Sequence, residues 1–338
     1  MFTLGSERID ELPEEDAVGM TKSINLDPIN AEINSMLEEN CRVTYRELAR
    51  KTGITTKAVQ KRLKKLIDTQ IIAEISVELS HAMIDSELVW AEVWTDGTED
   101  ELAFYDLIGN NPMVRSVCKT STGSYLAYSE VEASQGRYEL GKYLRGLEAV
   151  TKVKLSTLLL PPMVETSASK RFRMGQKISF TQNQLRVLRC LTIDARMPVP
   201  QIARQSSLSA KTVRKIIKEL NDSGAVHFTI RNLFQPAGMQ TFFLRIQLDE
   251  DVTDLVEIEK WLREKCFYSF SHSNLVVEEP ILWTWFSIPE MRWVEPIVRV
   301  VKSAPWAKDV EIIIRLPVRL YKGLGHHRLE ELLTEAGL

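Results

Sequence analysis

The chain matches itself at an offset of 154 positions, and this repeat constrains its fold more than any other feature. Residues Ile24 to Ile72 run against Ile178 to Val226 without a gap. Leu37, Arg42, Ala49, Arg50, Lys57, Val59, Lys61, Lys64 and Leu66 meet identical residues at Leu191, Arg196, Ala203, Arg204, Lys211, Val213, Lys215, Lys218 and Leu220. Solenoid units repeat every ~20 to 50 residues, so a period this long marks the duplication of a whole domain pair. The 338 residues are enough for two to four domains, given a usual size of roughly 100 to 200 residues each. The two halves are therefore expected to share one fold.

Between them, Pro161 to Lys177 holds paired prolines, a small polar stretch and four basic residues, the composition of an exposed linker. Boundaries near residues 80, 165 and 232 follow. Residues 1–16 form an acidic leader, with Glu7, Asp10, Glu11, Glu14, Glu15 and Asp16 against the single Arg8, and residues 1–22 are expected to be a flexible tail. The layout predicted is 23–80 and 178–232 as helix-turn-helix domains, 81–160 and 233–322 as α+β domains, 161–177 as linker, and 323–338 as a C-terminal segment.

Composition enters as a set of exclusions. With 44% hydrophobic and 26% charged residues the chain is globular. A net charge of -3 does not advertise a nucleic-acid binder, but it averages over domains and hides local basic faces. Cys41, Cys118, Cys190 and Cys266 are far apart and no histidine cluster accompanies them, so reduced structural thiols are expected and no metal site. No apolar run approaches the ~20 residues that span a bilayer, and the acidic leader lacks the features of a signal peptide. A cytoplasmic protein is expected.

In the first copy Asp27 is placed to cap a helix with Pro28 at its first position, and Ile29, Ile33, Met36 and Leu37 form its apolar stripe. Thr44 caps Tyr45 to Lys51, with Glu47 placed to complete a capping box, and Gly53 ends that helix. Thr55 opens a third helix in which Val59, Leu63, Leu66 and Ile67 turn inward and Lys57, Lys61, Arg62, Lys64 and Lys65 crowd the outside. The β-branched run Ile71 to Val77 reads as the strand of a wing.

Two short helices joined by a tight turn, the second cationic near its start, have the geometry that enters a major groove. Long cations neutralise phosphates, while base edges are read by side chains near the helix start. The DNA-binding set expected is Thr55, Thr56, Lys57, Gln60, Lys61, Arg62 and Lys64. In the second copy Val199 to Gln205 is the positioning helix, Ser206 and Ser207 the turn, and Ser209, Lys211, Thr212, Arg214, Lys215 and Lys218 the contact set. There Ile216 stands for Arg62 and Glu219 for Lys65, so this copy is less basic. A basic helix face is also what an ordinary solvated helix shows, and winged helices also make protein contacts.

After each wing the patterning runs strand, helix, strand, strand, helix, strand: Glu87–Trp94, Glu99–Gly109, Val114–Lys119, Ser124–Val131, Arg137–Leu147 and Val153–Leu160 in the first half. The second half follows with Thr241–Leu248, Leu255–Lys265, Phe267–Ser273, Ile281–Ser287, Trp293–Lys302 and Val310–Leu316. That order is the ferredoxin-like βαββαβ motif, whose second sheet face is left for a partner or ligand. The fold class expected is α+β, two winged helix-turn-helix domains alternating with two ferredoxin-like domains. Trp283, Trp285, Phe286 and Trp293 read as core or interface residues. His326 and His327 read as part of an exposed final segment that packs through Leu329, Leu332 and Leu333.

With these residues in place the chain resembles the Lrp/AsnC family of leucine-responsive transcription regulators. The resemblance is carried by Leu26-Asp27, Arg42 to Ala49, Gly53, Thr55 to Leu66 and Gly123-Ser124-Tyr125. It implies double-stranded DNA as partner, self-association through the α+β domains, as an intramolecular pseudo-dimer or a homodimer, and an effector site near Gly123 and Tyr125. The family's Gly-x-Tyr-Asp is interrupted by Leu126, and the second half has Glu278-Glu279-Pro280 in its place.

The siroheme decarboxylases resemble the same family and put this two-domain fold to enzymatic use. The stretch Ser271 to Asn274, then Leu282 to Phe286 and Leu316 to Arg319, is loosely similar to theirs. That alternative would set His272 over a tetrapyrrole and Arg315 or Arg319 on its propionates. No other catalytic signature is present, so no enzyme and no cofactor are expected on the principal reading. A third alternative is an interaction protein that has kept the fold and lost DNA binding.

Overall fold

The computed structural model describes residues 27–159, 177–233, 235–249, 254–266 and 270–338. The acidic leader and residues 161–176 of the expected linker lie outside the described residues.

Three helices build the first helix-turn-helix domain: α1 (Pro28–Glu39), α2 (Tyr45–Thr52) and α3 (Thr56–Asp68). Their starts are chemically specified. Asp27 Oδ1 accepts from the Asn30 amide at 2.9 Å. Thr44 Oγ1 accepts from the Glu47 amide at 3.2 Å while the Glu47 carboxylate accepts from the Thr44 amide at 2.9 Å, so two orphan donors of α2 are satisfied reciprocally. The second copy places α6 (Gln182–Ile193), α7 (Val199–Ser206) and α8 (Ala210–Ser223) in the same order.

The two copies share a single core. Ile33, Leu37, Leu48, Val59 and Leu66 are continuous with Leu188, Leu191, Ile202, Val213 and Leu220. Each such fully buried aliphatic contributes about 1.5–3 kcal/mol, and neither small three-helix domain would bury them as well alone.

The wings differ from the expectation. Each half supplies one strand, β1 (Ile72–Leu79) and β6 (Val226–Asn232), and the two pair antiparallel with Val77 opposite Phe228 and Ile75 opposite Ile230. A single strand leaves a row of backbone donors and acceptors open, and the duplicated strand closes it. The wing is therefore one ribbon made by both halves.

In the first α+β domain the elements are β2 (Ser86–Thr95), α4 (Glu101–Gly109), β3 (Val114–Thr120), β4 (Tyr125–Glu132), α5 (Ala133–Arg145) and β5 (Val150–Leu159). The second repeats them as β7 (Gln240–Leu248), α9 (Leu255–Lys265), β8 (Phe270–Val276), β9 (Ile281–Ile288), α10 (Val294–Lys302) and β10 (Ala307–Leu320). Strand β10 is longer than its apolar run suggests. Its C-terminal part pairs with β3 of the first half, and β5 pairs with β8 in return. These exchanges join two four-stranded sheets into a closed barrel of order β10-β3-β4-β2-β5-β8-β9-β7, with the β5–β8 seam short, made by Leu158 and Leu159 against Val276 and Leu275.

The sheet faces left open by each ferredoxin-like unit thus cover one another inside a single chain. Trp90, Phe243, Trp283 and Trp285 interdigitate within the barrel with Leu88, Leu126 and Ile313. Trp90 packs on Trp285 at 5.3 Å in a near-parallel stack and edge-on to Phe243 at 5.8 Å. On the outer faces, α9 and α10 cover Phe242, Phe286 and Trp293, and α4 and α5 cover Phe104, Tyr125 and Leu140. The aromatics expected to be core are core, divided between the two sheet faces by strand alternation.

Glu278 and Glu279, which occupy the turn where the first half has its Gly-Ser-Tyr pattern, clamp the two sheets together. Glu278 accepts from the Thr157 amide at 2.9 Å and is bonded to Arg137, and Lys154 reaches Glu279 at 2.7 Å.

The chain ends in α11 (Leu324–Glu335), which lies on β1 and adds Leu329 and Leu333 to the shared helix-turn-helix core. Gly325 is needed there, because a Cβ would stand 2.6 Å from the Leu79 carbonyl oxygen. The exposed position expected for His326 is corrected: it is buried, with Nε2 at 3.0 Å from Glu330. Arg328 grips Glu132 through Nε at 2.7 Å and Nη2 at 2.6 Å, tying this helix to the barrel.

Candidate nucleic-acid interface

Helix α3 starts at Thr55, whose Oγ1 accepts from the Ala58 amide at 3.2 Å. Its inner face is Val59, Leu63 and Leu66. The remaining positions then necessarily face out, and Thr55, Thr56, Lys57, Gln60, Lys61 and Lys64 are exposed. Among the described residues Lys57 and Lys61 hold no ion pair, whereas Lys64 reaches Asp68 at 2.7 Å. An exposed i,i+4 pair of that kind is worth only a few tenths of a kcal/mol.

Arg62 is placed differently from the expectation. Its Nη1 donates to Asp27 at 2.5 Å and to Asn30 at 3.0 Å, locking α3 against the start of α1. That guanidinium, with the Asn30 amide, holds the Asp27 carboxyl below its usual range against the raising effect of burial. Arg62 therefore belongs to the frame of the domain.

Helix α8 is capped by Ser209, whose Oγ accepts from the Thr212 amide at 3.1 Å. Ser209, Lys211, Arg214, Lys215 and Lys218 are exposed and Thr212 is half-buried. Here Lys215 pairs with Glu219 at 3.6 Å and Lys218 with Asp222. Lys211 and Arg214 are the cations of this face without an ion pair among the described residues.

The turn before each recognition helix needs a left-handed residue. Gly53 supplies it in the first copy at φ 70°, while Ser207 adopts φ 57° at the equivalent place in the second. A side chain in that region costs roughly 1 kcal/mol, so Ser207→Gly should raise stability by about 0.5–1 kcal/mol, measured by denaturant unfolding.

What the sequence reading missed is the clasp between the copies. Arg42 donates to the Ala195 and Met197 carbonyls at 2.5 and 3.0 Å. Arg196 answers by donating to the Cys41 and Val43 carbonyls, the latter at 3.2 Å, with its guanidinium 5.0 Å from the Tyr45 ring centroid. Both arginines are among the identical positions of the repeat, which was the available signal. With the β1–β6 ribbon and the shared core, the clasp fixes both recognition helices in one rigid unit.

Where the wing ribbon meets the barrel lies a cavity of about 280 Å³. His272 stacks on Trp285 at 4.3 Å, continuing the Trp90–Trp285 stack. Burial, with Arg263 and Arg315 nearby, pushes its imidazole down to about 4, so the ring is neutral at physiological pH. His272 and Arg315 both line this cavity, but Arg319 points away, donating to Asp106 at 2.8 Å and to the Leu102 carbonyl. Gly123 takes φ 82° in the β3–β4 turn, and Tyr125 is a core residue with its hydroxyl 3.0 Å from Glu99. Tyr125 therefore offers nothing to an effector at the surface.

A model of winged helix-turn-helix DNA-binding domains matches residues 26–73 and again residues 180–226. An uncharacterized HTH-type transcriptional regulator from Pyrococcus furiosus is 32% identical over 65 residues, which are 19% of this chain and 44% of that protein. The chain thus spans less than half the length of this curated relative. The siroheme decarboxylase NirDL has the same fold over nearly its whole length, at 11% identity, 91% of this chain, 99% of that chain and a TM-score of 0.56. Its complex with an iron-uroporphyrin III analogue gives 13%, 92%, 100% and 0.54. The chain thus carries two winged helix-turn-helix domains, each followed by a ferredoxin-like unit. Among the described residues no helix is long and apolar enough to cross a membrane.

Proposed function

We propose that the protein is a sequence-specific DNA-binding transcription regulator in which one chain does the work of a dimer. The observation that carries this reading is the pair of capped recognition helices with outward cations, held in a fixed relation by the clasp and the ribbon. Two-fold regulators read half-sites set by the distance between their recognition helices, and here that distance is built into one polypeptide. Thr56, Lys57, Gln60 and Lys61 are proposed as the principal contacts, with Lys64, Lys211, Thr212, Arg214, Lys215 and Lys218 supporting them. Helix α3 is proposed as the stronger reader, since α8 carries Glu219 where α3 has Lys65.

The test is a salt-titrated binding assay of the purified chain on duplex from its own upstream region against random duplex. Preferred binding that weakens linearly with log salt is expected.

A second reading, tetrapyrrole chemistry of the decarboxylase kind, draws support from the whole-length likeness to NirDL and from His272 and Arg315 in one cavity. The outward lysines have no part in such chemistry. The absorbance spectrum of the same preparation separates the readings. A colourless protein that prefers its own DNA supports the regulator, a tetrapyrrole spectrum without DNA binding supports the enzyme, and neither supports an interaction protein.

A further inference from the structure

Arg315 is a half-buried cation that no carboxylate pairs with among the described residues. Its side chain lines the cavity between the wing ribbon and the barrel, and its Nε is inaccessible to solvent with no hydrogen-bond partner. The groups it does approach are the Cys118 thiol and the face of Phe243, 5.9 Å away. The other two arginines of the cavity are satisfied. Arg115 holds Glu78 at 3.0 Å and is bonded to Glu130, and Arg231 holds Glu74 at 3.1 Å. A desolvated guanidinium left unpaired is costly, and the cost disappears when an anion binds.

The rest of the wall states what kind of anion. The Trp90, Trp285 and His272 rings form a continuous stack, which favours a flat partner. Trp90 Nε1 is a second buried donor without a partner. The volume, about 280 Å³, is at the small end of the few hundred to ~1,000 Å³ of small-molecule sites. We propose that this cavity binds a compact, flat organic monocarboxylate, its carboxylate on Arg315 and its ring against the aromatic stack. Because the walls come from β1 and β6 as well as from the barrel, an occupant bridges the helix-turn-helix unit and the barrel. Its use as an effector rests on the DNA-binding reading, whereas the binding itself does not.

Benzoate and its uncharged isostere benzamide are the probes, titrated into the full chain by calorimetry and by tryptophan fluorescence. Benzoate is expected to bind and raise the melting temperature, and benzamide to bind about tenfold more weakly or worse. Arg315→Gln should lose benzoate affinity about tenfold while melting close to wild type, since no carboxylate pairs with the cation it removes among the described residues. If that variant does not fold, Trp90→Phe keeps the ring, removes the Nε1 donor and should weaken benzoate severalfold. Equal affinity for the two probes, no benzoate binding at millimolar concentration, or unchanged affinity in the substituted chains would overturn the proposal. DNA affinity measured with and without benzoate keeps the two claims apart: benzoate binding without DNA binding removes the regulator and leaves the site standing.

Discussion

Arg42→Ala and Arg196→Ala should each destabilise the paired helix-turn-helix unit by about 2–4 kcal/mol, because each removes two charge-assisted bonds to carbonyls that have little other recourse. The clasp is reciprocal, so the double variant should cost less than the sum of the single ones. Denaturant unfolding followed by circular dichroism reads the effect. The helix-turn-helix unit should also lose its cooperativity with the barrel, seen as a separate early transition. A loss below about 0.5 kcal/mol, the size of an ordinary surface change, would mean that the shared core alone holds the domains together. DNA affinity should fall with stability in these variants, since half-site spacing is defined only while the two copies are fixed.

The second large effect is on DNA itself. Lys57→Ala with Lys61→Ala removes the two cations of α3 that hold no ion pair among the described residues. The slope of log affinity against log salt should fall by about 0.9 for each lost phosphate contact, close to two units in all. The matching change at Lys211 and Lys215 should be smaller, because the negative Glu219 on that face of α8 already weakens its attraction for phosphate. Arg62→Ala is expected to behave otherwise. It should lower stability through Asp27 and Asn30 and leave the salt slope of the folded protein nearly unchanged. A folded Lys57/Lys61 variant with an unaltered slope would place the DNA on another surface.

Much of this architecture was legible because its determinants are local. The Asp27, Thr44 and Thr55 caps act within four residues, and the capping box of Thr44 and Glu47 is a pattern of four positions. The βαββαβ order likewise follows from runs of alternation and amphipathicity. What could not be read lies between the halves, since strand pairing across an interface leaves no mark in either strand. So local pattern assigns β1 to its own wing when its partner is β6, and it gives no sign of the long reach of β10 to β3.

The site divides in the same way. Outward lysines are identified as soon as the inward residues of α3 are known, whereas the bond that ties Arg62 to Asp27, 35 residues away, leaves no mark on the helix itself. The clasp had a signal, identical arginines at equivalent non-helical positions, whose meaning required both copies side by side. The cavity had half of one. The sequence sets His272 with either Arg315 or Arg319 and leaves that choice open, whereas Trp90, from the other half of the chain, becomes a neighbour of His272 and Arg315 only when the barrel closes.

The most direct test of the central claim is a hydroxyl-radical footprint of the complex with the best-bound fragment of the upstream region, at one chain per duplex. Two protected patches on one face of the DNA, about one helical turn or a multiple apart, are predicted, with the stronger protection lost in the Lys57/Lys61 variant. A single patch, or uniform protection without register, would contradict the claim that one chain reads two half-sites.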